Sequence, residues 1–280
     1  MIVQNFGYHT HSTHSDGKNT LKEMIEQAIR LGWNEIGFSD HLIVHKDIKT
    51  SPSWKVLKKY YGAHIYRDNF TEAKKAFKAY KDEIKYLRTQ YPIKIYIGAE
   101  VDYFTYNGWL DEFLDFRHEL NLDYYVSGNH FLFDDDGRLI DPALLNEIAP
   151  DTNEQKKIIS RHFATIGEAA KSGLFDFIAH IDYMRRVNIC TPEAFYTDKM
   201  KLIETLSVTN TPVEINTKGI LKFGEAFPCC WMLEEMKKHH IPVVISDDSH
   251  NISRIGENFA FVEKLLQEMN YINRWKLNRE

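Results

Sequence analysis

The sequence predicts a single α/β domain built on a parallel sheet that is closed, or nearly closed, into a barrel. Three observations carry this expectation. Seven short apolar runs alternate with stretches of helical periodicity along 280 residues. No linker-like Gly/Ser/Pro segment and no internal repeat divides them. Residues able to ligate a metal stand at the C-terminal end of nearly every run, the edge of a parallel barrel where chemistry gathers.

The first strand runs from Ile2-Val3 to Tyr8 and opens into His9-Thr10-His11-Ser12-Thr13-His14-Ser15-Asp16-Gly17. Thr20-x-x-Glu23 forms a capping box for a helix with Leu21, Met24, Ile25, Ala28, Ile29 and Leu31 at helical spacing, closed by Gly32. Glu35 to Ser39 is a second strand ending in Asp40-His41, which completes a βαβ unit. Residues 42–66, with Pro52, Gly62 and scattered aromatics, read as an irregular stretch long enough to be a functional loop. Arg67 to Thr89 reads as one long amphipathic helix with a solvated basic face, and 42–92 together as a cover for the site. Ile93 to Ala99 is the third strand, with Glu100 at its end, followed by a helix over Trp109 to Leu120. Asp123 to Ser127 is the fourth, ending in Gly128-Asn129-His130. Asp134-Asp135-Asp136-Gly137 lacks the ligand spacing of a calcium loop and reads as a solvated turn. A helix over Asn153 to Ser172, closed by Gly173, leads to the fifth strand, Phe175 to Ala179, ending in His180-x-Asp182. Helical stretches over Glu193 to Ser207 and Cys229 to His240 flank the sixth strand, Pro212 to Ile215, with Glu214 and Asn216. The seventh, Ile241 to Ser246, runs into Asp247-Asp248-Ser249-His250, and a last helix spans Glu257 to Met269.

Composition narrows the function. The chain is 43% hydrophobic and 27% charged, and its formal charge of −5 argues against a general nucleic-acid binder. No run is long enough for a membrane helix, and no signal-peptide core is seen. The three cysteines, Cys190, Cys229 and Cys230, have no C-x-x-C spacing and read as buried reduced thiols, which points to a soluble cytoplasmic protein. The oligomeric state stays open.

The histidines and acids carry the chemistry. His9 and His11, one residue apart at a strand end, point to one side and can reach one ion. His41, Glu100, His130, His180, Asp248 and His250 occupy the equivalent ends of later strands. Imidazole and carboxylate without thiolate suit Zn, Fe, Mn or Co, and carboxylates can bridge two ions. Such pairs activate water and clamp phosphoryl oxygens, which predicts hydrolysis of a phosphate ester. His14 competes with Asp16 for a place in the site, with Asp16 favoured. His45 and His64 read as loop surface; His118, His162, His239 and His240 as structural.

These motifs, His9-x-His11 with Ser15-Asp16-Gly17, Ser39-Asp40-His41, Gly98-Ala99-Glu100, His130, His180-x-Asp182 and Ser246-Asp247-Asp248-Ser249-His250, resemble the polymerase and histidinol phosphatase (PHP) superfamily. The resemblance spans residues 9 to 250 in the family's order. It implies a distorted (β/α)7 barrel in one domain and three divalent ions, Zn, Fe or Mn. His9, His11, Glu100 and Asp248 would hold the first ion. Glu100, His130 and His180 would hold the second, and Asp16, His41 and His250 the third. Asp247 would stand outside the ligand set. The chain's length with the His180-Ile181-Asp182, Glu214-Ile215-Asn216-Thr217 and Ser246-to-His250 stretches is similar to the histidinol-phosphatase branch. That implies hydrolysis of L-histidinol phosphate, a step of histidine biosynthesis, by metal-activated water.

A cation should complete the phosphate clamp, and Arg185, Arg186, Arg254 and Lys218 are the candidates. Glu214 and Asp182 are candidates for the substrate's ammonium and imidazole, and Asp40 for orienting a ligand or water. The rivals are a phosphoesterase of the same superfamily acting on nucleotides or other small phosphate esters, a deaminase-like amidohydrolase, and a non-catalytic metal- or phosphate-binding module. The later lysine or paired-histidine pattern of the amidohydrolases is missing.

Overall fold

The computed structural model describes residues 3–60, 63–105, 108–149 and 151–279. Seven parallel strands follow one another in sequence and in space: β1 (Phe6–Gly7), β2 (Glu35–Phe38), β3 (Lys94–Val101), β4 (Tyr124–Ser127), β5 (Phe177–Ile178), β6 (Val213–Asn216) and β7 (Val243–Ser246). Phe6 pairs with Glu35, Phe38 with Ile97, Val101 with Ser127, Val126 with Phe177, Ile178 with Val213 and Asn216 with Ser246. The seam between β7 and β1 has no continuous ladder. It is closed by the Gln4 side chain, whose amide donates to the Ile245 carbonyl at 2.7 Å, and higher up by the His11 N–H, which donates to the Ser249 carbonyl at 2.8 Å. A nearly closed, distorted (β/α)7 barrel results, as expected. Of the expected first strand, Ile2 lies outside the described residues.

Helices α1 (Leu21–Arg30), α2 (Phe70–Arg88), α3 (Trp109–Leu120), α4 (Thr152–Ser172), α5 (Tyr196–Thr209) and α6 (Cys230–Lys238) connect successive strands, and α7 (Phe259–Glu268) follows the last. Local chemistry sets their ends. Thr20 and Glu23 form the reciprocal capping box of α1, Asn69 accepts the Glu72 N–H of α2, and Asp151 caps α4. Leu21, Met24, Ile25 and Ala28 of α1 are buried, whereas Ile29 and Leu31 fall off that stripe and are exposed.

The barrel interior is filled from below. Tyr8, Tyr96, Tyr124, Phe177 and Val244 pack with Leu277 and Trp275 of the C-terminal segment. The Trp275 ring lies 5.9 Å from Tyr8 and 5.5 Å from Phe177. Tyr124 crosses the axis to donate to the Tyr8 carbonyl at 2.6 Å. Gly98 makes room for it, since a Cβ there would lie 2.4 Å from the Tyr124 ring. Among the described residues, the N-terminal half of the barrel interior is thus filled.

Three sequence expectations change. The stretch after Ser39 is not irregular: His41–Val44 prolongs the second strand and pairs His41 with Glu100, while Tyr66–Arg67 adds a further parallel partner. A short helix, Trp54–Tyr60, lies between them, and Gly62 lies outside the described residues. The expected cover is also narrower than 42–92, because α2 packs on the outer face of the barrel, where Tyr80 donates to the Gly98 carbonyl. Finally, Cys190 and Cys229 are buried but Cys230 is exposed. Among the described residues, no helix is long and apolar enough to cross a membrane.

Candidate metal centre

The strand register carries nine side chains to one point. His9 and His11 leave β1, His41 and Glu100 are paired neighbours, and His130 and His180 follow β4 and β5. Asp248 and His250 follow β7, and the turn after His11 returns Asp16. The two oxygens of Glu100 face different sets. Its Oε1 lies 3.4 Å from His9 Nε2, 3.5 Å from His130 Nε2 and 3.1 Å from His180 Nε2. Its Oε2 lies 3.5 Å from His11 Nε2 and 2.9 Å from His41 Nδ1. A carboxylate so placed suits bridging. Gly128 lets it sit there, since a Cβ at that position would meet Glu100 Oε1 at 2.5 Å.

Asp248 Oδ1 lies 3.3 Å from His11 Nε2 and 3.8 Å from His9 Nε2, and Asp16 is within 3.4 Å of His41 Nε2 and 3.1 Å of His250 Nε2. Every expected ligand falls in at least one cluster of donor atoms close enough to share an ion. His14 does not: it turns outward to Glu83, at 2.8 Å.

The donor set fits divalent cations on its own chemistry. His9 Nε2, both nitrogens of His11, His41 Nδ1 and Glu100 Oε2 are buried and, close as they lie to one another, make no aligned hydrogen bond among the described residues. Buried polar atoms left so are costly unless something binds them. The charges are uneven. Burial would lower His9, but Glu214, Glu100 and Asp248 hold it well above its ordinary value. Burial, with the charges of His250 and His41, pushes His11 down to about 3 and keeps it a neutral donor. Glu100 is held well below the carboxylate range, its burial outweighed by His130, His9 and His41.

A cavity of about 250 Å³ opens over this cluster. It is lined by the polar His41, His130, Asp16, Asp248 and His250 with Lys218 and Arg186, by the apolar or aromatic Ile43, Leu57, Ile65, Tyr66 and Phe131, and by Asp141 and Tyr183. Lys218 Nζ is 3.0 Å from Asp248 Oδ2, and Asp248 holds the Lys218 ammonium above its ordinary value against the effect of burial. Arg186 donates to the Tyr183 hydroxyl at 2.5 Å.

The remaining sequence candidates lie outside the cavity lining. Arg185 is buried, its guanidinium paired with Asp182 at 2.8 Å and Glu225 at 2.7 Å, because the 3-10 turn Tyr183–Arg186 points neighbouring side chains apart. Arg254 is exposed and paired with Glu257 at 2.7 Å. Asp182 accepts the Cys229 N–H at 2.9 Å and is ion-paired with Arg185. Asp40 accepts the Ser12 N–H at 2.8 Å and the Ser15 hydroxyl at 2.5 Å, so it fixes the loop that carries Asp16 rather than a ligand or water. Glu214 points inward one layer below the donors. It pairs with His9 Nδ1 at 2.5 Å and accepts the His180 N–H at 2.8 Å. His64 reaches the Ser15 carbonyl at 2.6 Å, and His45 and His162 are buried.

The sequence reading missed two carboxylates. Asp102 pairs with His130 Nδ1 at 2.8 Å and leaves Nε2 for a ligand's role. Its signal was present, since Glu100 and Asp102 are alternate residues on one strand face. Asp141 follows a short hairpin, Leu132–Phe133 with Leu139–Ile140, and nothing in the sequence aims it at the site.

Comparison with known proteins bears on the family and the fold. The sequence profile of the PHP domain matches residues 7–218. The histidinol-phosphatase of Bacillus subtilis is 23% identical over 273 residues, covering 91% of this chain and 97% of that one. A Deinococcus radiodurans protein named "Probable histidinol-phosphatase" is 27% identical over 109 residues, 39% of this chain and 41% of that one. The histidinol phosphate phosphatase of Lactococcus lactis, solved with zinc, L-histidinol and phosphate, has the same fold. Its TM-score is 0.65 at 16% identity, over 97% of this chain and 95% of that one.

Proposed function

The chain belongs to the PHP domain family, and from that premise we propose that it is a metal-dependent histidinol-phosphatase that hydrolyses L-histidinol phosphate to L-histidinol and phosphate. The observation that carries the reading is the convergence of nine imidazole and carboxylate side chains, several with buried donor atoms that make no aligned hydrogen bond among the described residues, beneath a cavity rimmed by Lys218 and Arg186. The names of the Bacillus and Lactococcus proteins, and the histidinol and phosphate bound by the latter, support this substrate.

Three ions would be held by His9, His11, Glu100 and Asp248, by Glu100, His130 and His180, and by Asp16, His41 and His250. Zinc, iron or manganese bound there supplies Lewis-acid polarisation of the phosphoryl group and activation of water. The chain's own residues do the rest. Glu214 and Asp102 engage Nδ1 of His9 and His130, which fixes each ring and turns its Nε2 to the centre. Lys218 and Arg186 offer fixed positive charge to the phosphate oxygens as they gain charge in the transition state. Ile43, Leu57, Ile65 and Tyr66, from the 42–66 part of the expected cover, exclude water and strengthen those interactions.

The test is phosphate release by Zn-, Mn- and Fe-loaded protein from L-histidinol phosphate, nucleoside monophosphates and phenyl phosphate, with His130→Ala as control. Preference for histidinol phosphate by orders of magnitude, lost in the variant, is expected. Weak and even activity on all esters would remove the histidinol assignment and keep a general phosphoesterase. No hydrolysis with any metal would leave a binding module.

A further inference from the structure

We propose that Asp141 is the selectivity residue of the cavity: its carboxylate pairs with a cationic group, ammonium or imidazolium, on the far end of the phosphate ester. The inference rests on the phosphoesterase reading above and adds to it which chemical class of ester the site takes.

The cavity carries charge of both signs. Lys218, Arg186 and the metal donors suit an anion, and among the described lining residues Asp141, near His130 and Arg186, is the one carboxylate outside the proposed ligand set. Asp141 is 8% exposed. Its N–H donates to the Ser53 hydroxyl at 2.8 Å, and its Oδ1 accepts the Ala143 N–H at 2.9 Å. Among the described residues, nothing donates to Oδ2.

The local fold does not require a charge here. An asparagine would cap the turn at Pro142–Leu144 through the same Oδ1 contact. Asp141 lines the cavity with Oδ2 turned to no donor among the described residues, and burial pushes its carboxyl up to about 6 despite the nearby charges of His130 and Arg186. A bound cation would satisfy that oxygen and hold the group ionised. The other acids considered for this task are committed: Glu214 to His9 and His180, Asp182 to Arg185 and the Cys229 N–H. A nucleotide or sugar phosphate would bring a neutral group to Asp141 and leave it unpaired, so the same carboxylate that attracts one class rejects the other.

The experiment compares the wild type with Asp141→Asn in the metal-loaded enzyme. The first readout is the ratio of kcat/KM for L-histidinol phosphate over that for phenyl phosphate. The ratio should fall roughly 10–100-fold in the variant, the loss of one charge-assisted contact. The second readout is calorimetric binding of L-histidinol and of inorganic phosphate, which needs no turnover. L-Histidinol should weaken at least about tenfold while phosphate stays within a few-fold. An unchanged ratio, or equal loss on both esters and both ligands, would overturn the proposal, equal loss meaning that Asp141 supports Arg186 or the fold instead. A wild type that hydrolyses neither ester would overturn the phosphatase reading alone, since the binding comparison still decides the role of Asp141.

Discussion

The two ends of the barrel solve opposite problems with similar materials. At the N-terminal end, buried polar groups are paired: the Tyr124 hydroxyl to the Tyr8 carbonyl, the Tyr8 hydroxyl to Glu35, and the Gln4 amide to Phe6 and Ile245. Aromatic rings and Trp275 fill the space between. At the C-terminal end, five buried atoms of His9, His11, His41 and Glu100 make no aligned hydrogen bond among the described residues. One end mostly satisfies its polar groups and stabilises the fold, while the other carries an energetic cost that a bound cation would offset. Substitutions at the two ends should therefore separate stability from metal binding.

The largest effect is expected at Glu100, whose two oxygens serve both donor sets. Glu100→Gln keeps the shape and removes the charge. Metal content measured by mass spectrometry should fall, and phosphate release should drop roughly 10²–10³-fold, while the circular dichroism spectrum stays that of the folded chain. Full metal content with normal turnover would remove Glu100 as a shared ligand. At the other end, Trp275→Ala should cost about 2–3 kcal/mol in denaturant unfolding, at the low end for an aromatic because the ring is partly exposed. Turnover per bound metal in the folded fraction should change less than a few-fold. A large loss of metal there would mean that the two ends are coupled through the barrel interior.

The difference between the ends also explains what the sequence made legible. The convergence of the nine proposed donors could be read because it obeys a simple geometric rule: a parallel strand delivers its last residues to one rim, and alternation fixes the side. The substrate wall obeys no such rule. Ile43 and Leu57 come from an excursion in which a four-residue strand and a short helix carry no readable period, and Asp141 comes from a hairpin that packs back over the rim. Arg185 and Arg186 show the limit most sharply. They are adjacent and identical in chemistry, yet one is buried against Asp182 and the other faces the cavity, a phase that only the 3-10 turn decides. Glu214 failed for a related reason. Alternation on β6 correctly turns it inward, but depth along the barrel puts it beneath His9 instead of beside a substrate.

The smallest expected effect tests whether Asp141 belongs with the costly end. Burial raises its carboxyl from 3.8 to about 6, so the native state binds this proton more tightly than the unfolded chain. Its contribution to stability is therefore fully present below pH 4 and is lost as pH rises through about 6. Asp141→Asn has no proton to lose. The variant should match the wild type near pH 4 and exceed it at pH 7 by up to about 3 kcal/mol, an order-of-magnitude figure from that shift. Asp247, also raised to about 6 by burial, contributes the same slope to both proteins and cancels in the difference. Denaturant unfolding at the two pH values measures it. A variant destabilised equally at both would make Asp141 a structural cap for Ala143. A variant stabilised only at neutral pH would mark a charge kept against the interest of the fold, as expected of a group whose partner arrives with the substrate.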